Sequence, residues 1–245
     1  MSIETHIRSF WHAVQFLTRL PTPRITVFDP DELSRAALWF PLVGIVVGAI
    51  AALALWAGAQ ATPWIGALCA VVAWVWVTGG LHLDGLGDVT DALAGAHRSS
   101  DRFLQILRDP HIGAFGVMAI VLQLMAKLVL LAQIAGAAAL APVVLTAAWA
   151  RLGPAVWGLA LPPLAPGSGE RFSRQLDPRI VAVEAAILAL LSVWLAPVAL
   201  AALIVIPAIA LYWRYRLGGI TGDCLGAGIE VTETILLLLF AARMA

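Results

Sequence analysis

The segment PLVGIVVGAIAALALWAGA, Pro41 to Ala59, runs without a charged residue, and comparable runs recur to the end of the chain. A helix needs ~20 such residues to cross the hydrocarbon of a bilayer. Inside hydrocarbon, a backbone that is not part of a closed barrel must satisfy its own polar groups, which only a helix does. These runs therefore predict an all-α, polytopic integral membrane bundle of about seven transmembrane helices. The spans fall near 38–59, 64–80, 115–135, 140–162, 180–195, 198–213 and 226–242. The pair around Pro197 is short enough for a hairpin or one kinked helix. Only 12% of the 245 residues are charged, against about 25% in soluble domains, and the mean hydropathy is +0.92.

The charges that remain are unevenly placed. Arg8, Arg19, Arg24 and Arg35 precede the first span. Arg98, Arg102 and Arg108 lie between the second and third, Arg171, Arg174 and Arg179 between the fourth and fifth, and Arg214 and Arg216 after the sixth. The opposite connections, 60–63, 136–139 and 196–197, carry no charge. The positive-inside rule then expects the N-terminus and the charged loops in the cytoplasm. The chain reads as one membrane domain over 1–245. Residues 1–37 form a cytoplasmic amphipathic segment, and 81–114 and 214–225 are cytoplasmic active-site loops. The N-terminus lacks the apolar core and cleavage site of a signal peptide. A net charge of zero gives no basic field for nucleic acid. Cys69 and Cys224 have neither disulfide-scaffold nor zinc spacing.

Three segments carry polar chemistry, all expected on the cytoplasmic face. In TGGLHLDGLGDVTDAL, Thr78 to Leu93, the acids Asp84, Asp88 and Asp91 fall at i, i+4 and i+7, one face of a helix. Carboxylates so close repel one another unless a cation joins them. Hard oxygen ligands of this kind suit Mg²⁺, which commonly bridges protein carboxylates and substrate phosphates. A helix cap accounts for one such aspartate, not three. His82 reads equally as a general base, a phosphate contact or an interfacial side chain.

In RDPHIGAFG, Arg108 offers a donor fork for phosphate and Asp109 another carboxylate, while Gly113 and Gly116 let backbone amides approach an anion. In GGITGDCLGAGIEVTE, Gly218 to Glu233, a second Gly-Gly pair is followed by an acid, Asp223, with Glu230 seven residues on. Glu233 reads as a charged helix end among lipid headgroups. Lys127 and Arg151 lie deep in their spans, where an ionisable group is functional by default; each could snorkel or pair as structural glue, and contact with anionic substrate is expected. If the segments around Asp84 and Asp223 form one site, their helices pack side by side with glycines permitting close approach.

Metal-binding acids, phosphate-binding cations and a cytoplasm-facing site suggest transfer of a phosphorus-linked group. GGLHLDGLGDVTDAL, RDPHIGAFG and GGITGDCLGAGIEVTE, with FLTRLPTPR and FPLVG nearer the N-terminus, resemble the signature segments of the cobalamin synthase family, the adenosylcobinamide-GDP ribazoletransferases. The resemblance implies a Mg²⁺-dependent reaction of adenosylcobinamide-GDP with α-ribazole or its 5′-phosphate, releasing GMP, at the bacterial cytoplasmic (inner) membrane. The expected catalytic residues are His82, Asp84, Asp88 and Asp223. Asp84, Asp88, Asp91 and Asp223 are the expected metal ligands. Arg108, Asp109, Lys127, Arg151, Thr221 and Glu230 are the expected substrate contacts. Besides both substrates and the lipid bilayer, a homo-oligomeric partner is compatible with the sequence. Two other readings compete. A CDP-alcohol phosphotransferase would carry D-G-x-x-A-R, which fails after Asp84-Gly85. An ion-coupled transporter would use Lys127, Arg151 and Glu184 near the midplane.

Overall fold

A computed structural model describes residues 3–23, 32–96, 99–165 and 176–244. Eleven α-helices follow one another among them: α1 (Ile3–Leu17), α2 (Glu32–Ala37), α3 (Phe40–Ala59), α4 (Pro63–Thr78), α5 (Leu81–Gly95), α6 (Ser100–Ile106), α7 (Ala114–Ile134), α8 (Leu140–Ala160), α9 (Pro178–Leu195), α10 (Ala202–Arg216) and α11 (Gly222–Met244). A 3₁₀ turn, Pro197–Ala201, leads into α10. Six helices have the length and hydropathy of a membrane span, counting Pro197–Arg216 as one. Taken together as one broken span, the bent pair α4 and α5 would make a seventh. The chain leaves helical geometry at Ala196, so the Pro197 region is two helices rather than one.

Burial sorts these helices into a centre and a periphery. About three quarters of α8 and α11 is buried within the protein, but only 17% of α9. The outer helices present Leu, Val and Trp side chains to the surroundings, with Trp194 79% exposed, as a lipid-facing surface requires. Helices in lipid gain little from apolar burial against each other, so close backbone contact has to hold them. Gly44 and Gly48, one turn apart on α3, supply it against α8. A Cβ on Gly44 would lie 2.6 Å from the Ala147 carbonyl, and one on Gly48 2.7 Å from the Val144 Cα.

The connections that were expected to share a face do meet at one end of the bundle. The Arg19 N–H donates to the Val77 carbonyl at 2.7 Å, tying the chain after α1 to the end of α4. Leu164 N–H donates to the Ile220 carbonyl, and Ile220 N–H to the Pro162 carbonyl, at 2.9 and 3.0 Å. Residues 81–114, expected as a loop, are mostly the helices α5 and α6, and 214–225 is largely the end of α10 and the start of α11. Gly-rich, acid-bearing sequence reads as loop, yet small residues here allow helices to touch. Arg24, Arg98, Arg171 and Arg174 lie outside the described residues.

The orientation inferred from these charges is open to test. A membrane-impermeant maleimide should label Asp101→Cys from the cytoplasmic side, and Ala61→Cys and Ala138→Cys only from the other. Labelling of Asp101→Cys from the outer side would reverse the topology.

Candidate active site

The site begins with a bend. Gly79 and Gly80 both take left-handed conformations, φ 65° and 75°, which glycine alone adopts without penalty. Their N–H groups donate to the carbonyls of Trp76 and Val75, closing α4 in the manner of a C-terminal cap. The helix axis then turns by 86°, so α5 lies across the end of the bundle rather than continuing through it.

This flat helix rests on the start of α11. A Cβ at Gly85 would stand 3.0 Å from the Asp223 carbonyl, and one at Gly226 3.4 Å from the His82 Cα. Two small residues thus bring distant acidic segments together. His82, Asp84 and Asp223 line one cavity of about 180 Å³, walled on its other side by Phe16, Leu17 and Phe40. Asp84 is exposed, and Asp88 and Asp223 are half-buried. Burial first, and then the charges of Asp84, Asp223 and Asp91, push the Asp88 carboxyl up to about 6. Acids that oppose one another's ionisation in this way attract a cation.

Among the described residues no three His, Cys, Asp or Glu side chains converge as a ready-made metal cage. Mg²⁺ does not demand one. It binds through one or two carboxylates, water and substrate phosphates, and the hard oxygens of Asp84, Asp88 and Asp223 fit that donor chemistry.

Asp91 is used differently from what its spacing suggested. Its carboxylate accepts from the N–H groups of Gly113, at 2.6 Å, and Gly116, at 2.9 Å. These amides open α7, where an anion satisfies otherwise unpaired donors and meets the positive end of the helix dipole. The Gly113 and Gly116 amides therefore do approach an anion, and that anion is Asp91. A Cβ on Gly113 would come within 2.5 Å of Asp91 Oδ1, so the glycines make room for it. Thr221, expected at substrate, caps α11 instead: its Oγ1 accepts from Cys224 N–H at 3.3 Å. Arg108 and Asp109 are exposed and stand outside the cavity walls. Asp109 pairs with His111 Nδ1 at 2.7 Å, and this hydrogen bond holds its carboxyl below the usual range.

Lys127, Arg151 and Glu230 also depart from expectation. Lys127 Nζ contacts Glu230 Oε2 at 2.6 Å and Glu233 Oε2 at 2.5 Å, and Arg151 pairs with Glu233 Oε1. All four side chains are at most 4% exposed. Gln123 Nε2 donates to Glu230 Oε2 at 2.7 Å. Trp74 offers its ring face to the Lys127 ammonium at 5.0 Å and to the Arg151 guanidinium at 6.0 Å. The cations expected to meet substrate are matched inside the bundle. Glu233, expected among headgroups, is their hub. Pairing was one of the roles open to Lys127 and Arg151, since unpaired charges are improbable in hydrocarbon, but spacing along the chain does not reveal Glu230 and Glu233 as the partners.

His82 lies between this network and the cavity. Both ring nitrogens are buried with no hydrogen-bond partner among the described residues. Burial, reinforced by Arg151, pushes the imidazole down to about 3, so it is neutral. A neutral imidazole carries one donor and one acceptor.

Comparison with known proteins bears on this arrangement. The profile of the cobalamin-5-phosphate synthase family matches residues 9–241. The adenosylcobinamide-GDP ribazoletransferase of Laribacter hongkongensis is 54% identical over 239 residues, covering 95% of this chain and 96% of that protein. The protein of that name from Thiobacillus denitrificans is 50% identical, over 95% of this chain and 94% of its own length. The one from Escherichia coli is 35% identical, over 94% and 97%. No solved structure matches the chain.

The two kinds of acid should separate on substitution. Glu233→Gln leaves buried cations under-compensated and should destabilise the protein by roughly 3–5 kcal/mol. Asp91→Ala strands two helix-opening amides and should cost about 1–3 kcal/mol. Melting of the detergent-solubilised protein measures both. Unchanged melting in Glu233→Gln would show that the network does not hold the bundle.

Proposed function

Because the chain belongs to the cobalamin-5-phosphate synthase family, we propose that it is an adenosylcobinamide-GDP ribazoletransferase acting at the membrane surface. The acceptor is α-ribazole or its 5′-phosphate. The observation that carries this reading is the meeting of Asp84 and Asp223, far apart in the sequence, in one cavity with His82.

In the proposed reaction a ribose hydroxyl of the acceptor attacks the phosphorus that bears cobinamide. A new P–O bond forms, the bond from that phosphorus to the bridging oxygen breaks, and GMP departs with the oxygen. The hydroxyl proton is lost as the bond forms. Little of this requires covalent participation by the protein, so positioning and charge stabilisation dominate. Asp84, Asp88 and Asp223 would hold Mg²⁺, which when bound neutralises charge developing on the leaving phosphate. The acids in turn orient on two helices that glycine contacts keep in fixed register. Neutral His82 hydrogen-bonds a polar group at the cavity floor. Phe16, Leu17 and Phe40 exclude water from the reacting centre. The buried network keeps α7, α8 and α11 in place beneath.

The same geometry supports a location at the membrane surface. The position of α5 across the end of the bundle favours a site that opens at the membrane boundary, and the arginine distribution supports the cytoplasmic side of it.

Purified protein given adenosylcobinamide-GDP, α-ribazole and Mg²⁺ should yield GMP and cobalamin in equal amounts. Asp84→Asn, Asp88→Asn and Asp223→Asn should each lower turnover on the order of 100-fold or more while melting near the wild-type temperature. Absence of product with either acceptor would refute the assignment. Full activity and unchanged magnesium dependence in all three variants would refute the placement of the metal.

A further inference from the structure

One cation beside the site has no assigned task. Arg19 follows α1, in a turn that is tied down at several points. Thr18 Oγ1 donates to the Val14 carbonyl at 2.7 Å and accepts from Leu20 N–H at 3.2 Å. Gln15 Nε2 donates to Thr22 Oγ1 at 2.7 Å and to the Pro23 carbonyl at 3.1 Å. The Arg19 backbone is fastened to Val77 at 2.7 Å. An arginine placed only to satisfy the positive-inside rule needs none of this.

Its side chain is seated too. It runs across Gly79, where a Cβ would strike Nε and lie 3.1 Å from Cδ and 3.2 Å from Cγ. Gly79 therefore serves both the left-handed turn and the groove in which Arg19 lies. That groove is part of an open cavity of about 600 Å³ lined by Arg19, Thr18, Gly79, Gly80 and Asp84. It adjoins the smaller cavity of His82 and Asp223, with Phe16, Leu81 and Asp84 common to both.

The electrostatics require a cation here. A diphosphate approaching Asp84, Asp88 and Asp223 meets like charge, which a single Mg²⁺ held by three carboxylates would offset only in part. Lys127 and Arg151 are committed to buried glutamates. Arg19 is exposed, and no carboxylate among the described residues pairs with it. Its guanidinium is always charged and presents donors in a fork that matches phosphate oxygens two at a time. We infer that Arg19 is a substrate-binding residue that grips the diphosphate of the nucleotide-bearing substrate, holding it against the acidic helices. This assignment rests on the transferase reading above.

The test compares wild type with Arg19→Gln and Arg19→Lys in the full chain, reading KM for each substrate, kcat, melting temperature and inhibition by inorganic pyrophosphate. Arg19→Gln should raise KM for adenosylcobinamide-GDP and the inhibition constant of pyrophosphate about tenfold each, the loss of roughly one charge-assisted contact. KM for α-ribazole and the melting temperature should not move. Arg19→Lys should recover part of the loss, because it restores charge but not the fork. A rise confined to KM for α-ribazole 5′-phosphate would assign Arg19 to the acceptor's phosphate and overturn the inference. A lower melting temperature or kcat with both KM values unchanged would make Arg19 structural and overturn it equally. If wild type forms no product, the transferase reading fails. Calorimetric binding of pyrophosphate then still decides for Arg19, equal affinity in wild type and Arg19→Gln counting against it.

Discussion

Lys127 and Arg151 face Glu230 and Glu233 in the middle of the bundle, where no side chain of the four is more than 4% exposed. Taking such charges out of water costs several kcal/mol per ion, so the cluster adds little net stability compared with apolar packing. What it does is penalise every arrangement in which a partner is missing. Helix α11 can neither rotate nor slide by a turn without leaving Lys127 or Arg151 unmatched. That fixed register has a consequence two turns away. Asp223 precedes Glu230 by seven residues and so shares its face, roughly 10 Å nearer the end of the helix. The buried ion pairs thereby set where Asp223 enters the site.

The second constraint is steric. Helix α5 reaches Asp223 only because Gly85 has no side chain and because Gly79 and Gly80 turn the chain by 86°. A continuous helix would have carried Asp84 and Asp88 past the end of α11. Asp91 locks the far end of α5 to the first turn of α7, so the acid-bearing helix is clamped by α4, α7 and α11 together. Precision in the site comes from these backbone contacts, since lipid offers neighbouring helices no hydrophobic reason to associate.

Much of this was legible in the sequence. The apolar runs locate the spanning helices to within a few residues, because twenty residues of uninterrupted hydropathy have few other solutions. The pairing of the Asp84 and Asp223 segments was legible from their shared design, a Gly-Gly pair followed by an acid behind a helix end. What could not be read is which charges meet. Asp91 looks equivalent to Asp84 and Asp88 on a helical wheel, and only the packing of α7 singles it out as a cap. Lys127, Arg151 and Glu230 look like substrate contacts until Glu233 is seen to reach both cations. Thr221 likewise shows its role only once the start of α11 is known. In each case a local pattern gives the residue type correctly, and a contact between distant helices decides its work.

The dimensions of the site shape how the proposed reaction would be run. A cavity of about 180 Å³ is smaller than the ~300 Å³ at the lower end of pockets that enclose a drug-sized ligand. It accommodates a reacting phosphorus and its immediate oxygens, not a corrinoid or a nucleoside. In the proposed reaction the bulk of both substrates would therefore rest outside, over the open groove beside Gly80 and along the flank of α1, whose Phe16 borders both cavities. Binding energy gathered at that distance can be used to press one charged group into an acidic, largely apolar recess. A site at the membrane boundary, as proposed, would suit that division, with water on one side for the polar substituents and a packed bundle on the other to hold the acids still.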